Sequence, residues 1–251
     1  METNYFEHYS NELNRVMPMK VYGHAGRPVL FIPCQDGHFY DFENFKLTDS
    51  FHDWIESGKC MVFSIDTIDI ETWSAKGQDP AWRMHLHEQW INYITREAVP
   101  FIREWTNRKN NWDGYPGIMT FGCSMGATHA LNLYLRFPAL FDRCLALSGV
   151  YNASFFMGDY MDELTYRNSI TDYMSNFPAD HPFIAEYNRH KAVVCVGRGA
   201  WEMPESTEYL DRRFKELGIN IWVDYWGYDV NHDWPWWYKQ VEYFLPKLLE
   251  A

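Results

Sequence analysis

The sequence predicts an α/β fold with a mostly parallel central sheet and helices on both faces. Short apolar runs recur along the chain and end in small or polar residues. Longer segments with helical spacing separate these runs. Such runs suit strands that are buried on both sides, and their alternation with helices is typical of a parallel sheet.

The first two predicted strands are residues 15–22 and 29–33. The connection between them, GHAGRP at residues 23–28, has the composition of a tight turn, so we expect the two strands to pair and open the sheet. Five further strands are predicted at residues 60–65, 118–122, 144–148, 192–196 and 219–226.

The clearest predicted helix covers residues 81–105, where apolar side chains recur at intervals of three and four. Three more are predicted at residues 127–137, 206–217 and 234–249. The last two begin beside Pro204 and Pro235, a residue type that suits a first helical turn.

Residues 151–189 interrupt this alternation. They are rich in Asn, Asp, Phe, Tyr and Met and have no long periodic stretch. We interpret them as a short lid-like insertion at the carboxyl edge of the sheet, and leave open whether it is a lid, a substrate wall or a surface connector. Because repeats and linker compositions are missing from the sequence, residues 1–251 are predicted to form a single domain.

Charge restricts the partners that the chain suits. The formal net charge of -12 repels phosphate backbones and anionic membrane surfaces, so we expect neither nucleic acid nor a membrane as partner. Residues 1–10 lack the basic start and apolar run of a secretory signal, which predicts a cytoplasmic location. Small neutral molecules are the expected substrates, and a homo-oligomer is left open.

Cysteine and histidine spacing gives no sign of a metal or cofactor. The five cysteines are odd in number and widely spaced, so we interpret them as buried thiols. His85 and His87 lie two residues apart on a predicted helix and face different sides of it, unlike the metal pair that a spacing of four would allow. No cofactor and no metal are predicted.

A candidate nucleophile follows the predicted strand 118–122. Gly122 to Gly126 reads Gly-Cys-Ser-Met-Gly, the Gly-x-Ser-x-Gly pattern of a sharp strand-to-helix turn that exposes a serine hydroxyl. The five residues alone are a weak signal, but they stand between a predicted strand and a predicted helix, as the mechanism requires. Ser124 is therefore the predicted nucleophile, and a turn with a merely capping serine is the alternative.

The predicted general base is His232. In this arrangement the histidine comes after the last strand, and His232 is the only histidine after His190. A third residue should follow the penultimate strand and orient the imidazole.

Glu202 is the first carboxylate after the predicted strand 192–196, and we favour it as that third residue. Asp229 and Asp233 share the histidine loop and suit loop or capping roles. Glu205 suits the start of the next helix.

The oxyanion that forms during attack needs two backbone N–H donors. Met125, directly after the nucleophile, is predicted to give one. Gln35, in the loop after the strand that ends at Pro33, is predicted to give the other, with Asp36 as the alternative. Several tryptophans could line an aromatic pocket or fill the core, which is their commoner use. They are Trp73, Trp82, Trp201, Trp234, Trp236 and Trp237.

Four segments together resemble a known family. VLFIPCQDGHFYDFENF at residues 29–45, GCSMGA at 122–127, GRGAWE at 197–202 and WGYDVNHDWPWW at 226–237 resemble the "Putative esterase" family. That family groups esterase D, feruloyl esterase, enterobactin esterase and antigen 85 type proteins, and the resemblance extends from about residue 15 to the end of the chain.

The resemblance implies an α/β-hydrolase fold with a serine, acid and histidine triad, placed on Ser124, Glu202 and His232. Cys34-Gln35-Asp36-Gly37 departs from the His-Gly form of the oxyanion loop that many hydrolases have. The predicted function is hydrolysis of small carboxylic esters through an acyl-enzyme on Ser124. The alternatives are an acyltransferase with the same triad and a non-catalytic binding module on a hydrolase scaffold.

Overall fold

A twisted sheet of eight strands forms the centre of the protein in a computed structural model that describes residues 1–114 and 117–250. The strands are β1 Thr3–Ser10, β2 Arg15–Tyr22, β3 Arg27–Ile32, β4 Cys60–Ile65, β5 Ile118–Cys123, β6 Phe141–Leu147, β7 Lys191–Val196 and β8 Trp222–Tyr225. The helices are α1 Asp41–Asn44, α2 Leu47–Ser50, α3 His52–Glu56, α4 Pro80–Tyr93, α5 Val99–Asn110, α6 Met125–Arg136, α7 Ser154–Met157, α8 Glu163–Asn168, α9 Ile170–Ser175, α10 Phe183–Tyr187, α11 Glu205–Leu217 and α12 Trp234–Leu249.

The strand order is β1-β2-β4-β3-β5-β6-β7-β8. The strands from β4 to β8 along this order run parallel, while β1 and β2 add an antiparallel edge. Helices cover both faces. The predicted α/β fold with a mostly parallel sheet is therefore confirmed.

The expected pairing of the strands at residues 15–22 and 29–33 is wrong. β4 lies between β2 and β3 and pairs with both, so the chain skips one position when it leaves β2. Glycines allow this skip. Gly26 has φ +100°, and a Cβ there would lie 2.3 Å from the carbonyl carbon of Lys59. The glycine-rich connection thus serves a close backbone crossing and not a hairpin.

The sequence-based prediction also missed β1, which pairs with β2 along its whole length at the edge of the sheet. Its residues alternate between exposed and partly buried positions, so it carries Glu, His and Tyr where the buried strands carry aliphatic residues. At the opposite edge β8 is only four residues long, shorter than the predicted 219–226.

The predicted helix 81–105 is two helices, α4 and α5, joined by one π-helical turn at Ile94–Ala98. Pro100 lies in the first turn of α5 and has no N–H to donate to the residue four positions earlier. A wider turn directly before the proline accommodates that missing bond.

The core has two layers because alternate residues of each central strand point to opposite faces. Leu30 and Ile32 of β3 pack with α4, α5, α6 and α11, whereas Val29 and Phe31 pack with α1 to α3 and with α12. This double burial explains the uninterrupted apolar runs in the sequence.

The segment 151–189 folds into four short helices, α7 to α10, between β6 and β7. Its two ends are anchored in the core. Tyr151 is buried in the core and its backbone N–H donates to the Ser206 hydroxyl of α11 at 3.2 Å, while the buried Tyr187 hydroxyl donates to the Leu135 carbonyl of α6. Ala153, Phe156 and Met157 pack with Met125 at the start of α6, so this part of the segment lies at the carboxyl edge of the sheet.

The amino end of α6 lies against the end of β3 in direct backbone contact. A Cβ built on Gly126 would lie 2.2 Å from the Ile32 oxygen and 2.5 Å from the Pro33 oxygen. A Cβ on Gly122 would lie 2.3 Å from the Gly126 carbonyl carbon. The two glycines of the strand-to-helix turn are therefore required by packing as well as by the turn itself.

Replacement of Gly126 by Ala should destabilise the protein by about 3 kcal/mol, because the added methyl must push two backbone segments apart. Chemical denaturation followed by circular dichroism measures this loss. Gly114→Ala is the matched control, since nothing lies within 4 Å of its Cβ position, and it should change stability by less than about 0.5 kcal/mol. Equal stability of the two variants would contradict the packing argument.

Candidate active site

Three side chains named by the sequence analysis meet at the carboxyl edge of the sheet. Ser124 follows β5, Glu202 follows β7 and His232 follows β8. Because the carboxyl ends of parallel strands lie along one edge, loops far apart in the sequence converge there. The structure brings all three residues together.

Ser124 occupies the sharp turn between β5 and α6. Its φ of +56° is left-handed, and its N–H donates to the Leu147 carbonyl of the neighbouring strand at 2.8 Å. Its carbonyl accepts the Ala127 N–H at 3.0 Å and starts the helix. The backbone of Ser124 is thus held by β6 on one side and by the first turn of α6 on the other.

The imidazole of His232 lies directly over that hydroxyl. Its Nε2 is 2.9 Å from the Ser124 Oγ, a hydrogen-bonding distance. The ring packs edge-to-face on Trp237 with 5.0 Å between the ring centroids. The His232 N–H donates to the Ala200 carbonyl at 3.0 Å, which ties the histidine loop to the loop that carries Glu202.

Glu202 stands on the other side of the imidazole. Its side chain is only 1% exposed, and its Oε2 lies 3.5 Å from the His232 Nδ1. Within the described part of the chain neither atom has another hydrogen-bond partner. The distance is slightly longer than a hydrogen bond, so a small movement of either side chain joins them and satisfies both atoms.

The other carboxylates considered from the sequence have different positions. Asp233 caps α12, where its Oδ1 accepts the Trp234 N–H at 2.7 Å. Asp229 folds back on its own loop, with its Oδ1 2.6 Å from the Cβ position of Gly227. Glu205 begins α11. Among the described residues, Glu202 is the one of the four carboxylates that lies within 4.0 Å of a His232 ring nitrogen.

Ser148 is a site residue that the sequence analysis missed. Its Oγ donates to the Glu202 Oε1 at 2.7 Å and accepts the indole N–H of Trp237 at 3.0 Å. Trp237 therefore supports Glu202 through Ser148 and His232 through its ring. The available signal was a small polar residue directly after β6, a strand that lies between β5 and β7.

The predicted oxyanion donors lie beside Ser124. The Met125 N–H belongs to the first turn of α6, where a helix offers no carbonyl partner. Gln35 lies in a turn closed by the Gly37 N–H and the Cys34 carbonyl at 2.9 Å, with Asp36 at φ +58°. Among the described residues no acceptor is bonded to the Gln35 N–H.

The side-chain amide of Gln35 donates to the Ser74 hydroxyl at 2.7 Å. This contact fixes the turn against the loop that follows β4. The Gln35 backbone can therefore keep one position relative to Ser124 while a substrate enters.

A cavity of about 240 Å³ opens over Ser124. It is lined by Gln35, Ser124, Met125, Thr128, Ser148, Val150, Phe155, Phe156, Trp201, Met203 and His232. A second cavity of about 520 Å³ shares Val150, Phe155 and Met203 with it. The shared walls are apolar, whereas the far side of the larger cavity is polar and includes Asp172 and Glu205.

Most of the tryptophans singled out in the sequence do not form a pocket. Of the six, only Trp201 lines the catalytic cavity. Trp73 is buried beneath it, and Trp234 stacks on Phe45 at 4.4 Å between ring centroids, away from the cavity. Large aromatic side chains fill the interfaces between helices here, as they commonly do.

A buried arginine holds one wall of the cavity. Arg83 of α4 donates to the carbonyls of Thr72 at 2.6 Å, Trp73 at 2.7 Å and Phe156 at 3.3 Å. Burial lowers the pKa of its guanidinium group. Its three carbonyl acceptors join the loop after β4 to the segment 151–189, so Phe156 is held in place.

The thiols near Ser124 do not compete with it as nucleophiles. Burial raises the pKa of Cys34 to about 12 and raises that of Cys123 well above its usual range. A thiol is nucleophilic as the thiolate, which is scarce at such pKa values. Cys60, Cys123, Cys144 and Cys195 are buried as predicted, whereas Cys34 is partly exposed, so the prediction is wrong for that residue.

The fold and the site define an α/β-hydrolase: a parallel sheet with a serine on a strand-to-helix turn and a histidine in the loop after the last strand. A model of the family described as "Putative esterase" matches residues 10–247. The chain belongs to this family and is a carboxylic ester hydrolase. The resemblance predicted from the four sequence segments is confirmed.

Solved structures share this fold at low sequence identity. A ferulic acid esterase has a TM-score of 0.75 and 15% identity, over 99% of this chain and 98% of that one. An S-formylglutathione hydrolase from Agrobacterium tumefaciens has a TM-score of 0.72 and 15% identity, over 99% of this chain and 94% of that one. A fluorophosphonate-binding serine hydrolase from Staphylococcus aureus has a TM-score of 0.68 and 11% identity, over 100% of this chain and 99% of that one. No curated protein sequence matches the chain.

Residues 1–114 and 117–250 contain neither a candidate membrane span nor a candidate metal-binding cluster. In that part of the chain no helix is long and apolar enough to cross a bilayer. Nor do three or more His, Cys, Asp or Glu side chains gather there as a metal-binding group. His85 is exposed, whereas the buried His87 accepts the indole N–H of Trp73 at 3.1 Å.

Proposed function

We propose that the protein hydrolyses small, neutral carboxylic esters through an acyl-enzyme on Ser124. The observation that carries this proposal is the contact of 2.9 Å between the His232 Nε2 and the Ser124 Oγ, with the buried Glu202 on the far side of the ring. A serine hydroxyl is a weak nucleophile until a base accepts its proton, and this geometry supplies the base.

In the proposed reaction His232 takes the Ser124 proton while Oγ attacks the ester carbonyl carbon. The negative carbonyl oxygen is held by the N–H groups of Met125 and Gln35. His232 then gives the proton to the leaving alcohol, and the acyl group stays on Ser124. Water, deprotonated by His232, then attacks the acyl carbon. As the bond between this carbon and Ser124 Oγ breaks and the acid leaves, His232 returns the proton to Oγ. Glu202 stabilises the imidazolium in both halves.

The proposed substrate class follows from the two cavities and the charge. The smaller cavity has room for a short group at the reacting carbon, and the larger one accommodates the rest of the ester. Neither is lined by Lys or Arg among the described residues, while Asp172 and Glu205 line the larger one. With a net charge of -12, the protein repels anionic esters and suits neutral ones.

We further propose that residues 151–189 are part of the single hydrolase domain and act as a substrate wall. Phe155 and Phe156 of this segment line the catalytic cavity. Arg83 and the anchored ends of the segment favour a fixed wall over a mobile lid.

Ser124→Ala should abolish ester hydrolysis and leave the fold intact, because it removes the attacking oxygen and adds no bulk. The measurement is release of acid from ethyl acetate, together with labelling by a fluorophosphonate and the circular dichroism spectrum. Ser57→Ala, at an exposed serine, is the control and should keep full activity.

Full activity in Ser124→Ala would rule out the acyl-enzyme. Absence of labelling and of hydrolysis in the unaltered protein would favour the non-catalytic binding module. If added alcohols yield new esters in preference to acid, the same site is that of an acyltransferase.

Glu202→Gln should lower kcat by roughly a thousandfold or more, because the neutral amide cannot stabilise the imidazolium. Ser148→Ala should lower kcat by about 10-fold to 100-fold, since it removes a hydrogen bond to a charged group and leaves Glu202 less well oriented. Steady-state kinetics with ethyl acetate measure both effects. Asp233→Asn is the matched control, because Asn also caps a helix, and it should have nearly unaltered kcat.

If Asp233→Asn loses as much activity as Glu202→Gln, the acid has been assigned to the wrong loop. Unchanged kcat in Ser148→Ala would show that Glu202 needs no support from β6.

Gln35→Pro should lower kcat by roughly 100-fold to 1000-fold, because proline removes the N–H proposed to hold the oxyanion, in addition to the side-chain contact with Ser74. Proline suits the second position of a turn such as Cys34 to Gly37. Gln35→Ala is the control, since it keeps the N–H and loses only the contact with Ser74. Equal kcat in the two variants would assign the second donor to Asp36 or another peptide.

A further inference from the structure

The turn that carries Glu202 has an unusual residue at its third position. Residues 199–202 form a turn in which the Glu202 N–H donates to the Gly199 carbonyl at 3.3 Å. Trp201 occupies the third position with φ +66°. A left-handed residue there is usually Gly or Asn, because a Cβ clashes with the following carbonyl.

Packing does not explain why a tryptophan stands there. The Trp201 residue is 88% exposed, the highest value among the exposed large hydrophobic residues of the described chain. No aromatic ring or cation of the described residues lies against its indole. The strained position is thus occupied by a large apolar side chain that contributes little to the core.

The backbone of the Trp201 turn is held close to the reacting residues. The neighbouring Ala200 N–H donates to the Asn231 Oδ1 at 2.8 Å, and the Ala200 carbonyl accepts the His232 N–H at 3.0 Å. These bonds join the Trp201 turn to the histidine loop on both sides. Trp201 therefore lines the cavity that also contains Ser124 and His232.

We propose that Trp201 is a substrate-contact residue, whose exposed indole face stacks on a planar ring carried by the ester. This inference rests on the proposed function, because it takes the ester bond to lie at Ser124. Phe155 and Met203 line the same cavity and offer apolar contacts to the other face of such a ring. Strain at an active-site turn is retained where the strained side chain serves binding.

The test compares Trp201→Gly and Trp201→Phe with the unaltered enzyme. Substrates are benzyl acetate, its saturated counterpart cyclohexylmethyl acetate, and ethyl acetate, which is too small to reach the indole. The expected result for Trp201→Gly is a KM for benzyl acetate raised roughly tenfold, a smaller rise for the saturated ring and no change for ethyl acetate. The same comparison with methyl phenylacetate and methyl cyclohexylacetate covers a ring on the acyl side.

The melting temperature gives the second measurement. Trp201→Gly should melt at the same temperature or higher, because glycine accepts the left-handed conformation. Lys46→Gly is the matched control: Lys46 is also exposed and left-handed at φ +55°, but lies outside the cavity lining. Lys46→Gly should have a melting temperature like that of Trp201→Gly and leave every KM unchanged. Trp201→Phe should keep most of the affinity for the ring of the substrate.

A binding measurement separates this inference from the proposed function. The ketone in which a methylene replaces the ester oxygen of benzyl acetate cannot be hydrolysed, and its dissociation constant is measured by NMR titration. Weaker binding to Trp201→Gly supports the contact whether or not Ser124 is the nucleophile. Unchanged binding and unchanged KM on both ester sides, or a lowered melting temperature with unchanged KM, would overturn it.

Discussion

The contact between the amino end of α6 and the end of β3 is the constraint on which the site depends. Gly126 has no Cβ, so the first turn of the helix reaches the carbonyls of Ile32 and Pro33. The same contact sets the distance between the nucleophile turn and the Gln35 loop that directly follows β3. The proposed oxyanion site needs this proximity, because the N–H groups of Met125 and Gln35 would have to reach the same oxygen.

The acid side of the site depends on a second arrangement, built around Trp237 in the first turn of α12. Its indole N–H reaches Ser148, and Ser148 in turn donates to Glu202. Its ring edge also supports His232. A buried carboxylate is costly unless hydrogen bonds compensate for the lost water, and Ser148 supplies one of them. One helix terminus thus contacts His232, the proposed base, and supports Glu202, the proposed acid, through Ser148.

The sequence was sufficient for those parts of the site that depend on chain order. In a parallel sheet, a residue directly after a strand is placed at the carboxyl edge, which is why the positions of Ser124, Glu202 and His232 could be predicted. Ser148 follows β6 in the same way, but a lone serine carries no chemical pattern, and its role appears only in its contacts. Side-chain contacts between distant segments are not encoded in spacing.

Strand pairing was predicted less well, for physical reasons. β1 is an edge strand in which Tyr5 and Tyr9 are exposed while Asn4 and His8 are partly buried, so it lacks the alternation of polar and apolar residues that predicts a half-buried strand. The order β2-β4-β3 requires a crossing at Gly26 that looks like a hairpin turn in the sequence. Both errors concern which strands pair with each other, and a single sequence contains little information on strand pairing.

Backbone strain is concentrated where the chemistry is proposed. The described residues include seven left-handed residues other than glycine: Asn14, Asp36, Lys46, Asn111, Ser124, Ser148 and Trp201. Four of them, Asp36, Ser124, Ser148 and Trp201, stand in the loops at the carboxyl edge of the sheet. Two of the remaining three are asparagine, which tolerates this conformation.

Each strained position costs about 1–3 kcal/mol and persists only where its surroundings hold it. Here the surroundings are the doubly buried strands β5, β6 and β7, whose ends leave the following residues little freedom. The Ser124 N–H is bonded to β6, and the Ser148 N–H is bonded to the Cys195 carbonyl of β7. The central strands therefore have two roles. They bury apolar surface, and they hold the adjacent loop residues in strained conformations that free loops would not adopt.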